Sequence, residues 1–293
     1  MKTRRKLSAD VAEQLRNSLP SDAPPGLLHD AIATALVALG EATDDDSAAE
    51  LAEPLIPGVQ LHLGAAQTEA ERLGIAWHLE LYGSDDEYIR GSSFGDTSLP
   101  QGDQTSRANR HSLQDVKAAL ISIKATEFEE AGTSILRLLG CTNPRTTTRT
   151  GDGGIDFYGE LKLQGRFDSK LPLGGIDRRV NVWLIGQAKH YPHSEVGPGA
   201  IREMVGSVDL VRTKGALRTW PDLHVHPYDP IVQLFFTTGR YSRDAKYLLS
   251  KSGMIAMDGN QLATLLCDLG VGFDANAAFD SQRFRNELLP SSE

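Results

Sequence analysis

Apolar residues recur at helical spacing in several segments of the chain and at strand spacing in others. The run LLHDAIATALVAL, which ends at Gly40, predicts a helix over residues 27–39, and a shorter helix is predicted around residues 8–17. GVQLHL, AAQTEAERLG and IAWHLELYG then predict a strand, a helix and a strand. The first part of the chain is therefore expected to be a small domain that is either α+β or mostly helical.

The segment GSSFGDTSLPQGDQTSRANRHS, residues 91–112, contains almost no apolar side chains and is rich in Gly, Ser, Asp and Gln. Such a composition is typical of a linker or a long surface loop. We therefore divide the chain into an N-terminal domain of residues 1–90, a linker of residues 91–112, and a second domain of residues 113–293.

The second domain alternates between the two spacings. LQDVKAALISI is amphipathic, and Thr126 opens a second helix in which apolar residues recur until Gly140. IDFYGELKL and VNVWLIGQAK predict two strands joined as a hairpin with a long basic tip. Four further elements are predicted after a helix near residues 199–213: the strand IVQLFF, the helix SRDAKYLLS, the strand MIAM and the helix GNQLATLLCDL.

The net charge of −9 is unevenly distributed. Residues 1–110 carry nine Lys and Arg against 18 Asp and Glu, whereas residues 111–293 carry 21 of each. Because binding to phosphates requires cations, the acidic first third is not expected to attract nucleic acid by its overall charge. It is a candidate for binding a regulator or a protein partner, or it serves solubility.

Other features limit the class of protein. The basic start MKTRRK is not followed by the apolar run of a secretion signal, and the run at residues 27–39 is too short to span a bilayer, so we expect a cytoplasmic protein without a membrane partner. Cys141 and Cys267 are far apart and have no CxxC partner, which argues against disulfides and zinc ribbons. The four histidines of the second half do not form a defined tetrahedral set: His190, His193, His224 and His226.

The chemically informative residues flank the predicted hairpin. Gln187 and Lys189 are two residues apart on one strand, so their side chains project from the same face. Asp156, in the stretch RTGDGGIDFYG, precedes the partner strand and reaches the same place if the two strands pair. A carboxylate, a second oxygen ligand and an ammonium group at one sheet edge make a divalent-metal site suited to phosphodiester hydrolysis.

Each of these residues also has a simpler interpretation. Asp156 by itself would most often complete a turn, as would Asp152, which is a secondary candidate. Lys189 by itself would be a strand-edge lysine that discourages aggregation. The spacing of Gln187 and Lys189 after an apolar run favours the site over these interpretations.

A series of segments, in this order, resembles the Mrr family of type IV restriction endonucleases, a branch of the PD-(D/E)xK nuclease superfamily. The segments are FEEAGTSILRLLG, GDGGIDF, LIGQAKHY, EVGPGAIREMVGSV, FFTTGRYSRDAKYL and AMDGNQLATLL, and together they cover roughly residues 125–270. The combination of GDGGID with QAK is the most specific part of the resemblance. The first third of the chain is not covered.

The resemblance implies an α/β, restriction-endonuclease-like core: a central mixed β-sheet flanked by helices. It also implies Mg²⁺-dependent cleavage of DNA, with Mn²⁺ as a substitute ion, and a role in defence against foreign or modified DNA. Asp156, Gln187, Lys189 and Glu129 correspond to the site residues of that family. Gln187 stands where the wider superfamily has Asp or Glu. Glu129 has a rival interpretation, because Thr126 and Glu129 have the spacing of a capping box.

We therefore predict an endonuclease in which Asp156 and the backbone carbonyl of Ala188 bind Mg²⁺, with Gln187 and, through water, Glu129 assisting, while Lys189 orients the attacking water or stabilises the transition state. Several basic residues are candidate contacts to DNA phosphates: Arg145, Arg149, Arg166, Lys170, Arg178, Arg179 and His190. A second copy of the chain is a further candidate partner. Two alternatives stay open: a nucleic-acid-binding module that has lost its chemistry, and a nuclease acting on RNA or branched DNA.

Overall fold

The computed structural model describes residues 3–73, 76–147, 154–163, 165, 169–170, 175, 177, 180–212 and 223–289. Its contacts divide the chain into two compact units, one comprising Met1–Arg72 with Ala76–His111 and the other Leu73–Ile75 with Ser112–Glu293. No helix within the described ranges is both long and apolar enough to cross a membrane.

The N-terminal unit is mostly helical. Its helices are α1 (Arg4–Ser18), α2 (Leu28–Ala38), α3 (Asp45–Ala52), α4 (Ile56–Arg72) and α5 (Gln101–Asn109), with short 3₁₀ turns at Glu53–Leu55 and Arg110–Ser112. A small antiparallel sheet has the order β1 (Gly26–Leu27), β3 (Tyr88–Gly91), β2 (Leu79–Tyr82). The predicted strand GVQLHL is wrong, because these residues lie inside α4, where Val59 and Leu63 are buried one turn apart.

Helix α5 lies within residues 91–112, so the prediction of an irregular segment there is wrong for Gln101–Asn109. Arg107 joins α5 to the small sheet by donating to Glu80 Oε2 at 2.6 Å, and within the segment Arg110 donates to the Ser92 carbonyl at 3.0 Å. Arg90, only 5% exposed, also donates to Glu80 Oε2, at 2.8 Å, and pairs with Asp96. Helix α5 is therefore attached to the small sheet mainly by charged side chains, and apolar contacts contribute little.

The C-terminal unit contains the main sheet. Its elements are α6 (Leu113–Ser122), α7 (Ala125–Leu138), β4 (Cys141–Thr146), β5 (Phe157–Leu161), β6 (Val182–Lys189), β7 (Glu195–Val196), α8 (Pro198–Val211), β8 (Ile231–Thr237), β9 (Arg240–Tyr241), α9 (Arg243–Ser252), β10 (Ile255–Met257), α10 (Gly259–Asp268) and α11 (Ser281–Leu288). The five-stranded sheet has the order β10-β8-β6-β5-β4. β6 is parallel to β8, and β8 is parallel to β10, whereas β5 is antiparallel to both β6 and β4, so the sheet is mixed.

Helices cover both faces of this sheet. On one face α6, α7, α10 and α11 pack against sheet residues that include Phe157, Leu184 and Phe236. On the other face α8 and α9 pack against Tyr158, Ile185 and Phe235. The unit is thus the predicted α/β core, a central mixed sheet flanked by helices.

The predicted hairpin of β5 and β6 is confirmed, with Phe157 opposite Gly186 and Leu161 opposite Val182. Asp156 precedes β5 and Lys189 ends β6, so both lie at the same end of the hairpin. The connection between the strands, residues 162–181, leaves from the opposite end. Five strand residues separate the two ends, a distance of about 17 Å along the sheet.

Candidate active site

Asp156 is held at one end of the sheet by hydrogen bonds from both its backbone and its side chain. Its backbone N–H donates to the Gly186 carbonyl at 2.9 Å, and its own carbonyl accepts from the Thr147 N–H at 2.9 Å. Its side-chain Oδ2 accepts from the Ala188 N–H at 2.7 Å. The carboxylate is therefore fixed to β6, the strand that carries Gln187 and Lys189.

Gln187 and Lys189 project from the sheet face covered by α8. Along β6, Leu184 and Ala188 belong to the core on the first face and Ile185 to the core on the second, so the odd-numbered side chains turn toward the second. The Gln187 side chain is 1% exposed, and within the described residues its Oε1 accepts no hydrogen bond. Lys189 is half-buried.

The backbone of β6 turns the Ala188 carbonyl toward Asp156. Trp183 N–H and the Lys189 carbonyl bond toward the β8 side, to Pro230 and Thr238, whereas the Gly186 carbonyl and the Ala188 N–H bond to Asp156. In a strand the N–H and C=O of one residue point to the same side. The Ala188 carbonyl therefore faces the side of Asp156. This is the orientation that a ligand of a metal ion bound by Asp156 requires.

Two glycines position Phe157, the residue next to Asp156. A Cβ on Gly132 of α7 would lie 2.3 Å from the Phe157 ring, and one on Gly186 of β6 would lie 2.0 Å from it. The ring thus occupies the space that both glycines leave, and it stacks on Phe236 at a centroid distance of 5.3 Å. This close packing fixes where β5 begins.

Gly154, the last glycine of GDGG, also requires the absence of a side chain. Its φ is +68°, and a Cβ there would lie 2.9 Å from Ser207 Oγ, 3.2 Å from Glu203 Cγ and 3.4 Å from Gln187 Nε2. A glycine at this position lets the turn before Asp156 approach both β6 and α8.

A cleft of about 250 Å³ opens at this end of the sheet. It brings together the predicted residues Asp156, Gln187, Ala188, Lys189, Glu129 and His190. The sequence did not single out its other lining residues, which are Ala125, Gly154, Tyr191 and Glu203. Tyr191 is 43% exposed at this cleft.

The capping interpretation of Glu129 is wrong. Helix α7 begins at Ala125, and Glu127 makes the capping contact, accepting from the Lys124 N–H at 2.7 Å. That backbone hydrogen bond lowers the pKa of the Glu127 carboxyl. Glu129 instead faces the cleft from the α7 side.

His190 has a packing role beside the cleft. Its Nε2 lies 3.2 Å from the Ile121 carbonyl, an acceptor, and its ring meets Phe128 edge-on at 5.9 Å. These contacts join the end of β6 to helices α6 and α7. A contact from His190 to phosphate stays a prediction.

The remaining predicted contacts to DNA lie in different places. Arg145, on β4, is opposite Tyr158, two residues from Asp156 along β5. Lys170 is exposed and belongs to the connection that leaves from the far end of the hairpin. The other predicted contacts to DNA lie outside the described part of the chain: Arg149, Arg166, Arg178 and Arg179. Asp152, the secondary candidate for the metal site, lies outside it as well.

The donor set suits a hard divalent cation. The Asp156 carboxylate, the Ala188 carbonyl and Gln187 Oε1 are oxygen ligands of the kind that Mg²⁺ takes. A buried amide oxygen without a partner costs about 1–3 kcal/mol, which a bound cation would offset. Among the described residues, no three His, Cys, Asp or Glu side chains are placed to hold a metal together.

A family model described as restriction endonuclease, the Mrr catalytic domain, matches residues 120–266, just over half of the 293 residues. The chain belongs to this family. The matched range contains every element of the cleft, from α7 to α8, so the cleft lies within the restriction endonuclease domain that the family model describes.

One solved structure is similar, that of the MspJI restriction endonuclease in complex with a 27-mer oligonucleotide. The two chains are 18% identical, the match covers 67% of this chain and 39% of that one, and the TM-score is 0.38. This chain thus spans well under half the length of that relative. Among curated proteins, none matches the chain significantly.

Glu203 is the acidic lining residue that the sequence did not single out. Ile201, Met204 and Val208 recur at helical spacing and are buried against the sheet, which marks the packed face of α8. Glu203 lies beside that face, a position open to either solvent or a cleft. The packing of α8 on the sheet face from which Gln187 projects places Glu203 at the cleft.

Proposed function

We propose that the chain is a Mg²⁺-dependent endonuclease that hydrolyses phosphodiester bonds of DNA. The observation that carries the proposal is that Asp156, Lys189 and the unpartnered oxygen of Gln187 line one cleft of the matched domain. An anionic ligand, a neutral ligand and a cation at one place correspond to what hydrolysis of a charged diester requires. Mn²⁺ is expected to replace Mg²⁺.

A bound Mg²⁺ would supply a water of lowered pKa and would neutralise charge on the phosphate oxygens. Asp156 holds its carboxylate still through the bond to the Ala188 N–H, so little reorganisation is needed on binding. Lys189 donates hydrogen bonds from Nζ to the attacking water or to a non-bridging phosphate oxygen. Water forms the new bond to phosphorus, the bond to the leaving oxygen breaks, and that oxygen takes up a proton.

The neutral amide of Gln187 has a consequence for the order of binding. It ligates a cation through oxygen but contributes no charge, so affinity for metal without DNA is expected to be modest. Phosphate oxygens of the substrate then complete the coordination. Metal and DNA should therefore bind with positive coupling.

The biological role that we propose is restriction of foreign or modified DNA in the cytoplasm, with the acidic N-terminal unit binding a regulator or partner. Membership of the restriction endonuclease family supports this role. Two copies of the chain acting together would allow cleavage of both strands of a duplex.

The test is a cleavage assay with the full-length protein on methylated and unmethylated duplex DNA, with Mg²⁺ and with EDTA. We expect cleavage in the presence of Mg²⁺ and none in the presence of EDTA. Asp156→Asn should prevent the cleavage in Mg²⁺. Tight binding without cleavage in any divalent ion would contradict the proposal and favour a binding module that has lost its chemistry. Cleavage of RNA or branched DNA alone would keep the chemistry but change the substrate.

A further inference from the structure

We propose that Glu203 of α8 is the second carboxylate of the metal site, supplying the negative charge that Gln187 lacks. This inference rests on the proposed function, since it concerns the same cleft. It assigns a role to a residue on a helix outside the paired GDGGID and QAK segments.

The first support is placement. Helix α8 packs on the sheet through Ile201, Met204 and Val208, and this packing brings Glu203 to the wall of the cleft opposite α7. Gly154 allows the approach, because a Cβ there would lie 3.2 Å from Glu203 Cγ and 3.4 Å from Gln187 Nε2. Glu203 and Gln187 are thus neighbours across a glycine in the turn that leads to Asp156.

The second support is the Gln187 oxygen. It belongs to a side chain 1% exposed, lines the same cleft and has no hydrogen-bond partner among the described residues. Native proteins rarely leave such an atom unpaired without a ligand or water to satisfy it. A cation that satisfies this oxygen lies within the cleft that Glu203 lines.

Charge provides the third support. Asp156 offers one negative charge, Gln187 none, and a divalent cation is commonly held by one or two carboxylates together with substrate phosphates. With Glu203 two carboxylates would bind the metal directly, while Glu129 would assist through water.

A simpler role for Glu203 would be that of a surface residue that stabilises the helix. The helix dipole favours acidic residues chiefly in the first turn, and Glu203 is the sixth residue of α8, beyond that turn. Across the described chain no basic side chain forms an ion pair with it. Its exposed carboxylate is therefore available to rotate toward a cation.

The experiment is a titration of Mn²⁺ into the full chain without DNA, with free Mn²⁺ followed by electron paramagnetic resonance. Glu203→Gln should weaken binding at least about tenfold, the loss typical of residues that tune a metal site. Asp209→Asn is the matched control, because it removes an exposed carboxylate from the same helix outside the cleft. It should bind Mn²⁺ as the wild type does.

A double variant tests the charge argument. In Glu203→Gln combined with Gln187→Glu, a carboxylate returns to the site from the strand, and affinity should recover to within about threefold of the wild type. The inference is overturned by wild-type affinity in Glu203→Gln, by an equal loss in Asp209→Asn, or by a double variant that fails to recover.

Cleavage by the wild type, measured in parallel, separates this inference from the proposed function. If the wild type cleaves DNA in Mg²⁺ while Glu203→Gln retains its full affinity for Mn²⁺, only the role of Glu203 is refuted. If the wild type neither binds Mn²⁺ nor cleaves DNA, both are refuted.

Discussion

The carboxylate of Asp156 accepts a hydrogen bond from the backbone N–H of Ala188 at 2.7 Å, and so connects the turn before β5 to the middle residue of GQAKH. The bond fixes the proposed metal ligand to the strand that carries its partners. It also gives Asp156 two functions, one in chemistry and one in holding the end of the hairpin together. Substitutions at this position must be chosen to separate them.

Asp156→Asn and Lys189→Met should each reduce DNA cleavage at least about a hundredfold. The asparagine keeps an oxygen that accepts from the Ala188 N–H, so its melting temperature should stay close to the wild-type value. Asp156→Ala removes that acceptor and should cost about 1–3 kcal/mol of unfolding free energy as well. Cleavage rates and thermal melts of the same preparations check both expectations.

The control for the lysine is Lys162→Met, since Lys162 is exposed at the far end of β5 and pairs with Glu160. It should cleave at the wild-type rate. Full activity in Asp156→Asn or Lys189→Met would refute the assignment of the site.

Gln187→Leu should stabilise the metal-free protein by about 1–2 kcal/mol, because it removes a buried oxygen that has no partner among the described residues. The same substitution should abolish the rise in melting temperature that Mg²⁺ gives the wild type. Gln187→Glu should bind Mg²⁺ more tightly, since it adds a charge at the site. Chemical denaturation without Mg²⁺ measures the change in stability. Thermal melts over a range of Mg²⁺ concentrations measure the effect of the metal.

The prediction for Gln187 fails if the leucine variant is no more stable than the wild type and responds equally to Mg²⁺. The amide would then be neither strained nor a ligand. Gln187→Ala, which leaves a cavity, should weaken metal binding without the gain in stability.

Gly186→Ala should destabilise the C-terminal unit by about 1–3 kcal/mol, because its Cβ would lie 2.0 Å from the Phe157 ring. Displacing that ring shifts Asp156, so cleavage should fall as well. Gly206→Ala is the matched control, since a Cβ there meets nothing within 4 Å and the helix gains about 0.5–1 kcal/mol. Urea denaturation measures the unfolding free energy of both variants. A loss in Gly186→Ala together with a gain in Gly206→Ala would confirm the steric argument, and equal changes would contradict it.

Removal of the acidic N-terminal unit should strengthen DNA binding at low salt. A protein starting at Ser112, the boundary between the two units, loses a region with a net charge of −9. Like-charge repulsion is screened over roughly 8–10 Å near physiological ionic strength, so the gain should shrink as salt rises. Fluorescence anisotropy across a salt series measures it. If the shortened protein binds DNA more weakly than the full chain at every salt concentration, the N-terminal unit itself binds DNA.

The sequence predicted the elements whose apolar residues are regularly spaced. The pairing of β5 with β6 and the strands β8 and β10 follow from such patterns, and the pairing places Asp156 beside Gln187 and Lys189. Helix α5 was missed because ion pairs such as that of Arg107 with Glu80 hold it, and these leave no periodic signal. β4 was missed because CTNPRT is polar and contains Pro144, as suits an edge strand.

The spacing of apolar residues could not predict which residues are brought to the site by tertiary packing. Glu203 lines the cleft because α8 packs on the sheet face from which Gln187 projects, and its own sequence neighbours give no sign of it. The capping role belongs to Glu127 and not to Glu129, because the N-cap of α7 is Lys124, two residues before Thr126. Spacing alone could not separate two glutamates in the same turn.

The connection between β5 and β6 leaves the sheet at the end opposite the cleft, about 17 Å from Asp156 along the strands. Successive phosphates of one DNA strand rise about 3.4 Å along the helix axis, so this length corresponds to about five base pairs. For DNA lying along these strands, any contact made by the connection would therefore be separated from the cleaved bond by the hairpin. Its length, set by five residue pairs, would fix the offset between a recognised feature and the cut, independently of the chemistry.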